Sequence, residues 1–209
     1  MSDKLDSVYM TNPFEDVIPG ARGRVLATMV QLEVPVTIRA LARHARVAPQ
    51  TALTVVNELS KAGIVSAEQA GSAQMISLNR AHLAAEPLIS LGRTRARLVA
   101  RLTDELAGWN GLAAAWLFGS AARGSGDRES DVDLLLVAER SIETAAWASS
   151  TARLVSEVLV WTGNQAQLVE HTTRSFARLV RDHNPLVHAI RQDGITLTPG
   201  SDALLRELS

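Results

Sequence analysis

The chain contains no cysteine, which excludes disulfide bonds and thiolate metal sites. Aromatic residues make up only 4% of the 209 residues, whereas 46% are hydrophobic, so small aliphatic side chains must supply the core. This balance favours helical packing over an aromatic-rich all-β design. No apolar run is long enough to span a bilayer, and the N-terminus shows no secretory signal. We therefore expect a cytoplasmic protein with no membrane partner.

Neither sign of charge dominates, since the formal net charge is −1. Residues 1–110 carry 12 basic and 10 acidic side chains, whereas residues 111–209 carry 9 and 12. The direction of this asymmetry suits a first half that faces nucleic acid and a second half that faces cations. The length fits one large domain or two small ones.

The first half of the chain has the spacing of three helices and a hairpin. Arg22–Val30 has helical periodicity, Thr37 is a predicted N-cap for Ile38–Ala45, and Pro49 opens a third helix that Gly63 ends. The segments that follow are two short strands around a turn, Ile64–Glu68 and Gln74–Leu78.

This order resembles the winged-helix domains of bacterial transcription regulators over Arg22 to Asn79. The resemblance implies that the helix beginning at Pro49 enters the major groove of double-stranded DNA and that the hairpin touches the backbone. Glu58 and Glu68 would repel phosphate. The alternative is a small helical domain for dimerisation or for docking a protein partner. The polar and basic side chains predicted to contact DNA are Arg39, Arg43, Arg46, Gln50, Thr51, Thr54 and Lys61.

Four segments are predicted along the chain. Residues 1–20, which are polar and contain Pro13, Pro19 and Gly20, form a flexible arm, and residues 21–80 form the winged helix. A helical connector covers residues 81–110, and a second folded domain covers residues 111–209.

A Gly-Ser turn and two carboxylates carry the chemistry of the second domain. Leu112–Phe118 is an apolar run suited to a buried strand, and it ends in Gly119-Ser120. Gly119 allows close approach of a ligand to the backbone, and Ser120 adds a hydroxyl donor. A Gly- and Ser-rich loop is predicted over Gly119 to Ser130, followed by a strand over Asp131–Val137.

Asp131 and Asp133 lie two residues apart in that predicted strand, so both should point to one face. Two carboxylates that close repel each other unless a cation lies between them. Oxygen ligands of this kind suit Mg²⁺, or Mn²⁺, which bridges to substrate phosphates. The pattern therefore predicts a site for a metal–triphosphate complex.

The stretch from Gly119 to Leu134 resembles the nucleotidyltransferase superfamily of DNA polymerase beta, especially its minimal bacterial members. The residues that carry the resemblance are Gly119, Ser120, Arg123, Gly124, Ser130, Asp131, Asp133 and Leu134. It implies that Gly119 and Ser120 hold the β- and γ-phosphates of a nucleoside triphosphate and that Asp131 and Asp133 bind two metals. The expected fold class is α+β, with a winged helix-turn-helix followed by a nucleotidyltransferase-like mixed sheet.

One departure from that family pattern bears on turnover. The family supplies a third carboxylate from a later strand, and in the candidate strand Asn164–Glu170 the matching position is Gln167. A glutamine cannot act as a base, although its carbonyl can touch a metal. Glu170 lies on the other face by strand alternation.

Three functions remain open. The first is an enzyme that transfers a nucleotidyl group to a protein, RNA or small-molecule hydroxyl, in the manner of the antitoxins that members of this superfamily resemble. The second is a transcription regulator that senses nucleotides without turnover. The third is a module that uses both domains for protein contacts. A homodimer is expected, because winged-helix regulators commonly dimerise.

Overall fold

The computed structural model describes residues 13–71, 73–124 and 130–207. Their contacts divide the chain into two compact units, with the division between Thr94 and Arg95. The α+β fold class predicted from the sequence is confirmed. Within the described ranges, no helix combines the length and the apolar character needed to cross a membrane.

The described residues of the N-terminal unit form five helices and a three-stranded antiparallel sheet in the order β1-β3-β2. The elements are α1 (Phe14–Val17), α2 (Ala21–Gln31), β1 (Val36–Thr37), α3 (Ile38–His44), α4 (Pro49–Lys61), β2 (Val65–Ala70), β3 (Ala73–Leu78) and α5 (Ala85–Gly92). The order of α2, α3, α4 and the β2–β3 hairpin is the one predicted for a winged helix.

Local signals set the helix boundaries in this unit. The Thr37 hydroxyl caps α3 by accepting a hydrogen bond from the Ala40 N–H at 3.3 Å. Pro49 is the first residue of α4, where its missing N–H has no cost. Gly63 follows α4 with φ +74°, the left-handed conformation that glycine adopts without strain. All three positions were predicted from the sequence.

The predicted arm needs correction at its second half, since residues 13–20 contain α1. The side chain of Phe14 is only 1% exposed and belongs to the core of the N-terminal unit. Burial of an aromatic side chain favours the ordering of a short helix whose other side chains are partly or fully exposed. Residues 1–12 of the predicted arm lie outside the described residues.

The C-terminal unit is built on a four-stranded mixed sheet in the order β6-β5-β4-β7. Its elements are α6 (Thr94–Ala107), β4 (Leu112–Phe118), α7 (Gly119–Arg123), β5 (Val132–Ala138), α8 (Ala145–Thr162), β6 (Ala166–Thr172), α9 (Thr173–Arg181), α10 (Pro185–Asp193), β7 (Ile195–Thr196) and α11 (Gly200–Glu207). Strand β5 runs parallel to β6 and antiparallel to β4, which in turn runs antiparallel to β7.

Helices cover both faces of this sheet, so β5 reads as a nearly continuous apolar run. Leu134 and Leu136 pack with residues of α6 and α8 on one face. Leu135 and Val137 pack with residues of α9 and α10 on the other face. By strand alternation, Asp133 lies on the face of Leu135 and Val137.

The predicted connector over residues 81–110 is not a separate element. Leu88 and Leu91 of α5 pack against the core of the N-terminal unit. Leu98, Leu102 and Leu106 of α6 are buried in a core of the C-terminal unit. The four-residue leucine spacing was visible in the sequence, but a periodicity does not say which core the helix joins.

Candidate nucleotide site

The turn after β4 brings the chain backbone against a carboxylate. Phe118, the last residue of β4, pairs in register with Asp133 of β5, and Gly119 follows with φ +71°. A Cβ atom built on Gly119 would lie 2.1 Å from Oδ2 of Asp133. Glycine is therefore required twice, for the left-handed backbone and for the space that the carboxylate occupies.

The two predicted metal ligands lie at the start of β5. Asp131 is exposed and immediately precedes the strand, which begins at Val132 rather than at Asp131 as the sequence predicted. Asp133 is half-buried.

Burial raises the pKa of Asp133 above its ordinary value, and the negative charge of Asp131 raises it further. The Arg123 guanidinium acts in the opposite direction and lowers this pKa in part. The carboxylate pair is therefore unfavourable in the metal-free protein, and a positive charge placed between the two groups would relieve it.

Helix α7 contains three of the predicted nucleotide-binding residues, Gly119, Ser120 and Arg123, and a fourth, Gly124, caps its C-terminal end. Ser120 lies in its first turn and Arg123 is its last residue. Gly124 caps the helix with φ +71°, and its N–H donates to the Ser120 carbonyl. Nη1 of Arg123 lies 3.7 Å from Oδ2 of Asp193, the last residue of α10. Residues 125–129 of the predicted Gly-Ser loop lie outside the described residues.

Asn164 anchors the segment that leads into β5, and the sequence analysis did not single it out for this role. Its side chain is 8% exposed, and its Nδ2 donates to the Ser130 carbonyl at 2.8 Å. The Val132 N–H donates to the Gln165 carbonyl, also at 2.8 Å. These two bonds fix the backbone on either side of Asp131. A buried asparagine before a strand is a weak sequence signal, because the same residue is common in ordinary turns.

Strand β6 places Gln167 beside the site. Gln167 is the registered partner of Asp133 on the neighbouring parallel strand, so a residue with an uncharged amide lies next to Asp133 in the sheet. The Glu170 carboxylate accepts a hydrogen bond from the Trp147 indole of α8, on the other side of the sheet. Among the described residues, no group of three His, Asp or Glu side chains is arranged to hold a metal. The described site therefore offers two carboxylates.

The surface predicted to contact DNA lies in the N-terminal unit and is exposed throughout. The seven exposed residues are Arg39, Arg43, Arg46, Gln50, Thr51, Thr54 and Lys61. The Thr54 hydroxyl donates to the Gln50 carbonyl at 3.0 Å. Glu58, expected to repel phosphate, forms an ion pair with Arg22 of α2, which offsets its charge. Glu68 in the hairpin is exposed.

Residues 101–192 match the family model described as Polymerase beta, Nucleotidyltransferase. The matched segment covers less than half of the chain, and it contains Gly119, Asp131, Asp133 and Gln167. No curated protein sequence matches the chain significantly.

The solved structures that resemble this chain do so with low TM-scores. A toxin–antitoxin structure with AMP-PNP is 19% identical with a TM-score of 0.37, and the match covers 53% of this chain and 82% of that one. A MarR family transcriptional regulator from Silicibacter pomeroyi is 24% identical with a TM-score of 0.35, covering 46% and 74%. Likenesses at this level carry no argument about function.

Proposed function

We propose that the C-terminal unit binds a nucleoside triphosphate together with Mg²⁺ or Mn²⁺ and transfers its nucleotidyl group to an acceptor hydroxyl. The observation that carries the proposal is the contact between the Gly119 turn and the Asp133 carboxylate, with Asp131 two residues away. Backbone N–H groups of the turn and the Ser120 hydroxyl would then bind phosphate oxygens, next to carboxylates that suit a divalent cation.

The residues present fit a divalent cation. Asp131 and Asp133 would hold it through oxygen atoms, and a cation there would offset the burial and the Asp131 charge that raise the pKa of Asp133. The Gln167 side chain in register with Asp133 adds a neutral carbonyl oxygen at most. When bound, a cation of this kind offsets charge on the phosphates and favours attack at phosphorus.

In the proposed reaction, the acceptor hydroxyl oxygen forms a bond to the α-phosphorus, and the bond between that phosphorus and the α,β-bridging oxygen breaks. Pyrophosphate leaves, and the hydroxyl proton is released to water. Ser120 and Arg123 on α7 would hold the phosphates in line. Since Gln167 cannot accept the proton, turnover should be slower by a factor of about 10²–10⁴ than with a carboxylate there.

The glutamine at position 167 also supports a second candidate function. With Gln167 beside Asp133, the domain can keep nucleotide affinity while losing transfer, which would make it a nucleotide sensor for the N-terminal unit. We propose that the N-terminal unit binds double-stranded DNA through α4, which is supported by the exposed basic and polar residues and by the Arg22–Glu58 pair. A homodimer, a protein or RNA acceptor and a cytoplasmic location stay predictions.

An incubation with α-labelled ATP, GTP, CTP and UTP, magnesium and candidate acceptors tests transfer. The acceptors are the chain itself, a tRNA mixture and duplex DNA, and the variants are Asp131→Ala and the control Asp104→Ala, an exposed acid on α6. Label transfer that Asp131→Ala abolishes and Asp104→Ala preserves supports the enzyme. Magnesium-dependent nucleotide binding without any transfer supports the sensor. If the protein neither binds nor transfers a nucleotide, both candidate functions are contradicted.

A further inference from the structure

Arg95 joins α6 to the helix that carries the nucleotide-binding residues. Its Nε donates to the Ala121 carbonyl at 3.0 Å, and its Nη2 donates to the Ala122 carbonyl. Arg95 is partly buried and lies in the first turn of α6, 26 residues before the first of these partners. It also lies outside the segment matched by the family model, so this contact comes from the chain's own architecture.

Helix α7 needs such a contact because it has only five residues. A helix this short is not stable by itself, and its last carbonyls lack partners within the helix. The Gly124 N–H satisfies the Ser120 carbonyl, and Arg95 satisfies the next two. A guanidinium suits this place because its planar fork can donate to two acceptors at once.

The orientation of α7 fixes both ends of the candidate site. Gly119 at its start lies against the Asp133 carboxylate, and Arg123 at its end lies beside Asp193. Ala121 and Ala122 are buried between these ends, so the helix is held by packing on one side and by Arg95 at its carbonyls. A small rotation of α7 would move Ser120 and Arg123 together relative to Asp133.

We propose that Arg95 is a positioning residue for the nucleotide site, which rests on the nucleotide binding proposed above. It does not touch the nucleotide. It holds α7 in the orientation in which the Gly119 turn, Ser120 and Arg123 face the phosphates of a nucleotide at Asp131 and Asp133.

The test compares Arg95→Gln and Arg95→Lys with Arg101→Gln, a matched control on the same helix. The Arg101 guanidinium lies 5.4 Å from the centre of the Trp161 ring, and within the described part of the chain it forms no hydrogen bond or ion pair with α7. Dissociation constants for ATP, GTP, CTP and UTP with magnesium are measured at a temperature well below the melting transition of each variant that folds. Amide exchange of the 119–124 segment is measured without nucleotide.

We expect Arg95→Gln to lower the affinity for the nucleotide that wild type binds most tightly by about tenfold. Loss of a residue that orients a ligand-binding group typically has an effect of this size. Exchange in the 119–124 segment should rise, and Arg101→Gln should change neither quantity. Arg95→Lys keeps the positive charge but lacks the planar guanidinium, so its nucleotide affinity should lie between those of wild type and Arg95→Gln. If Arg95→Gln does not fold, Arg95→Lys is compared with wild type instead.

Two failures are distinguishable. If the wild-type chain binds a nucleotide and Arg95→Gln binds it equally well, the positioning role is wrong and nucleotide binding stands, and faster exchange alone would make Arg95 only a structural contact. If the wild-type chain binds none of the four nucleotides, the proposed function and the positioning role both fall.

Discussion

At the scale of single residues, Gly119 and Asp133 define how closely the turn after β4 approaches the carboxylate pair. The sequence predicted that Gly119 permits close approach to a ligand, because the residue has no side chain. It could not show that the nearest group is the Asp133 carboxylate, since that contact depends on the pairing of Phe118 with Asp133 across two strands. Register between strands is set by packing of the whole sheet.

We expect Gly119→Ala to abolish nucleotide binding and to destabilise the protein. The left-handed backbone costs an alanine roughly 1–2 kcal/mol, and the new methyl group would also collide with Asp133 Oδ2. Gly163→Ala is the matched control, because Gly163 has φ +77° and open space around it. Equilibrium denaturation and nucleotide titration of both variants check this expectation. If Gly119→Ala and Gly163→Ala lose the same amount of stability and Gly119→Ala still binds nucleotide, the expectation is contradicted.

Asp133 gives the metal-free protein a pH dependence of defined sign. Burial first, and then Asp131, raise its pKa in the folded state above the unfolded value, so the folded protein holds this proton more tightly. That contribution to stability is complete below the unfolded pKa and is lost as the pH rises through the raised folded pKa. We therefore expect Asp133→Asn to be more stable than wild type at neutral pH without metal.

Melting curves of the two proteins in EDTA, from about pH 4 to about pH 8, check this sign. The advantage of Asp133→Asn should shrink as the pH falls through the raised pKa. Added magnesium and nucleotide should stabilise wild type only. A wild-type protein that gains stability over Asp133→Asn as the pH rises in EDTA would show that the sign is wrong.

At the scale of helices and strands, boundaries with local causes were predictable and contacts between distant elements were not. Thr37, Pro49 and Gly63 each mark a helix end through their own chemistry, and the structure places them as expected. The burial of Phe14 and the contact of Arg95 with α7 depend on residues far away in the chain. A sequence pattern describes one element at a time, so it gave no signal for either.

The placement of Gln167 by strand alternation was the most informative prediction at this scale. Alternation along the predicted strand placed Gln167 at the position where the family has its third carboxylate, and in the structure Gln167 is the registered neighbour of Asp133. The same alternation put Glu170 on the other face, where its carboxylate meets the Trp147 indole. The period of two residues per strand fixes which face a side chain occupies, which is why this part of the site was readable from the sequence.

We expect Gln167→Asp to increase magnesium-dependent transfer by at least about tenfold, because it restores a carboxylate that can accept the acceptor proton. The same change should lower the melting temperature in EDTA, since a third negative charge joins Asp131 and Asp133, and magnesium should reverse this loss. Glu170→Gln is the control and should leave transfer unchanged. Rates equal to wild type in the presence of magnesium would count against the assignment of β6 to the site.

At the scale of the whole molecule, the structure contains two compact units with different surfaces. The N-terminal unit presents exposed basic and polar residues on α3 and α4, and the C-terminal unit holds the carboxylate pair. The charge asymmetry in the sequence, with an excess of basic residues in the first half and of acidic residues in the second, has the same direction. Composition could not locate the division at Thr94 and Arg95, because one helical pattern runs through residues on both sides of it.

Binding of duplex DNA by the N-terminal unit should be sensitive to salt, because contacts to phosphate release counterions. We expect Arg43→Ala to weaken binding about equally for unrelated sequences and to reduce the slope of log affinity against log salt by about 1. Fluorescence anisotropy over a salt series measures this slope, with Arg101→Ala as a control in the other unit. A slope that Arg43→Ala leaves unchanged would remove Arg43 from the proposed interface.

The central claim is that Asp131 and Asp133 share a divalent cation with a bound triphosphate. Titration calorimetry with each of the four nucleoside triphosphates, in magnesium and then in manganese, tests it directly. The account predicts binding by wild type and by Asp104→Asn, and a loss of more than about tenfold, or about 1.4 kcal/mol, in Asp133→Asn. Absence of heat for every nucleotide with both cations, or equal binding by Asp133→Asn, would contradict it.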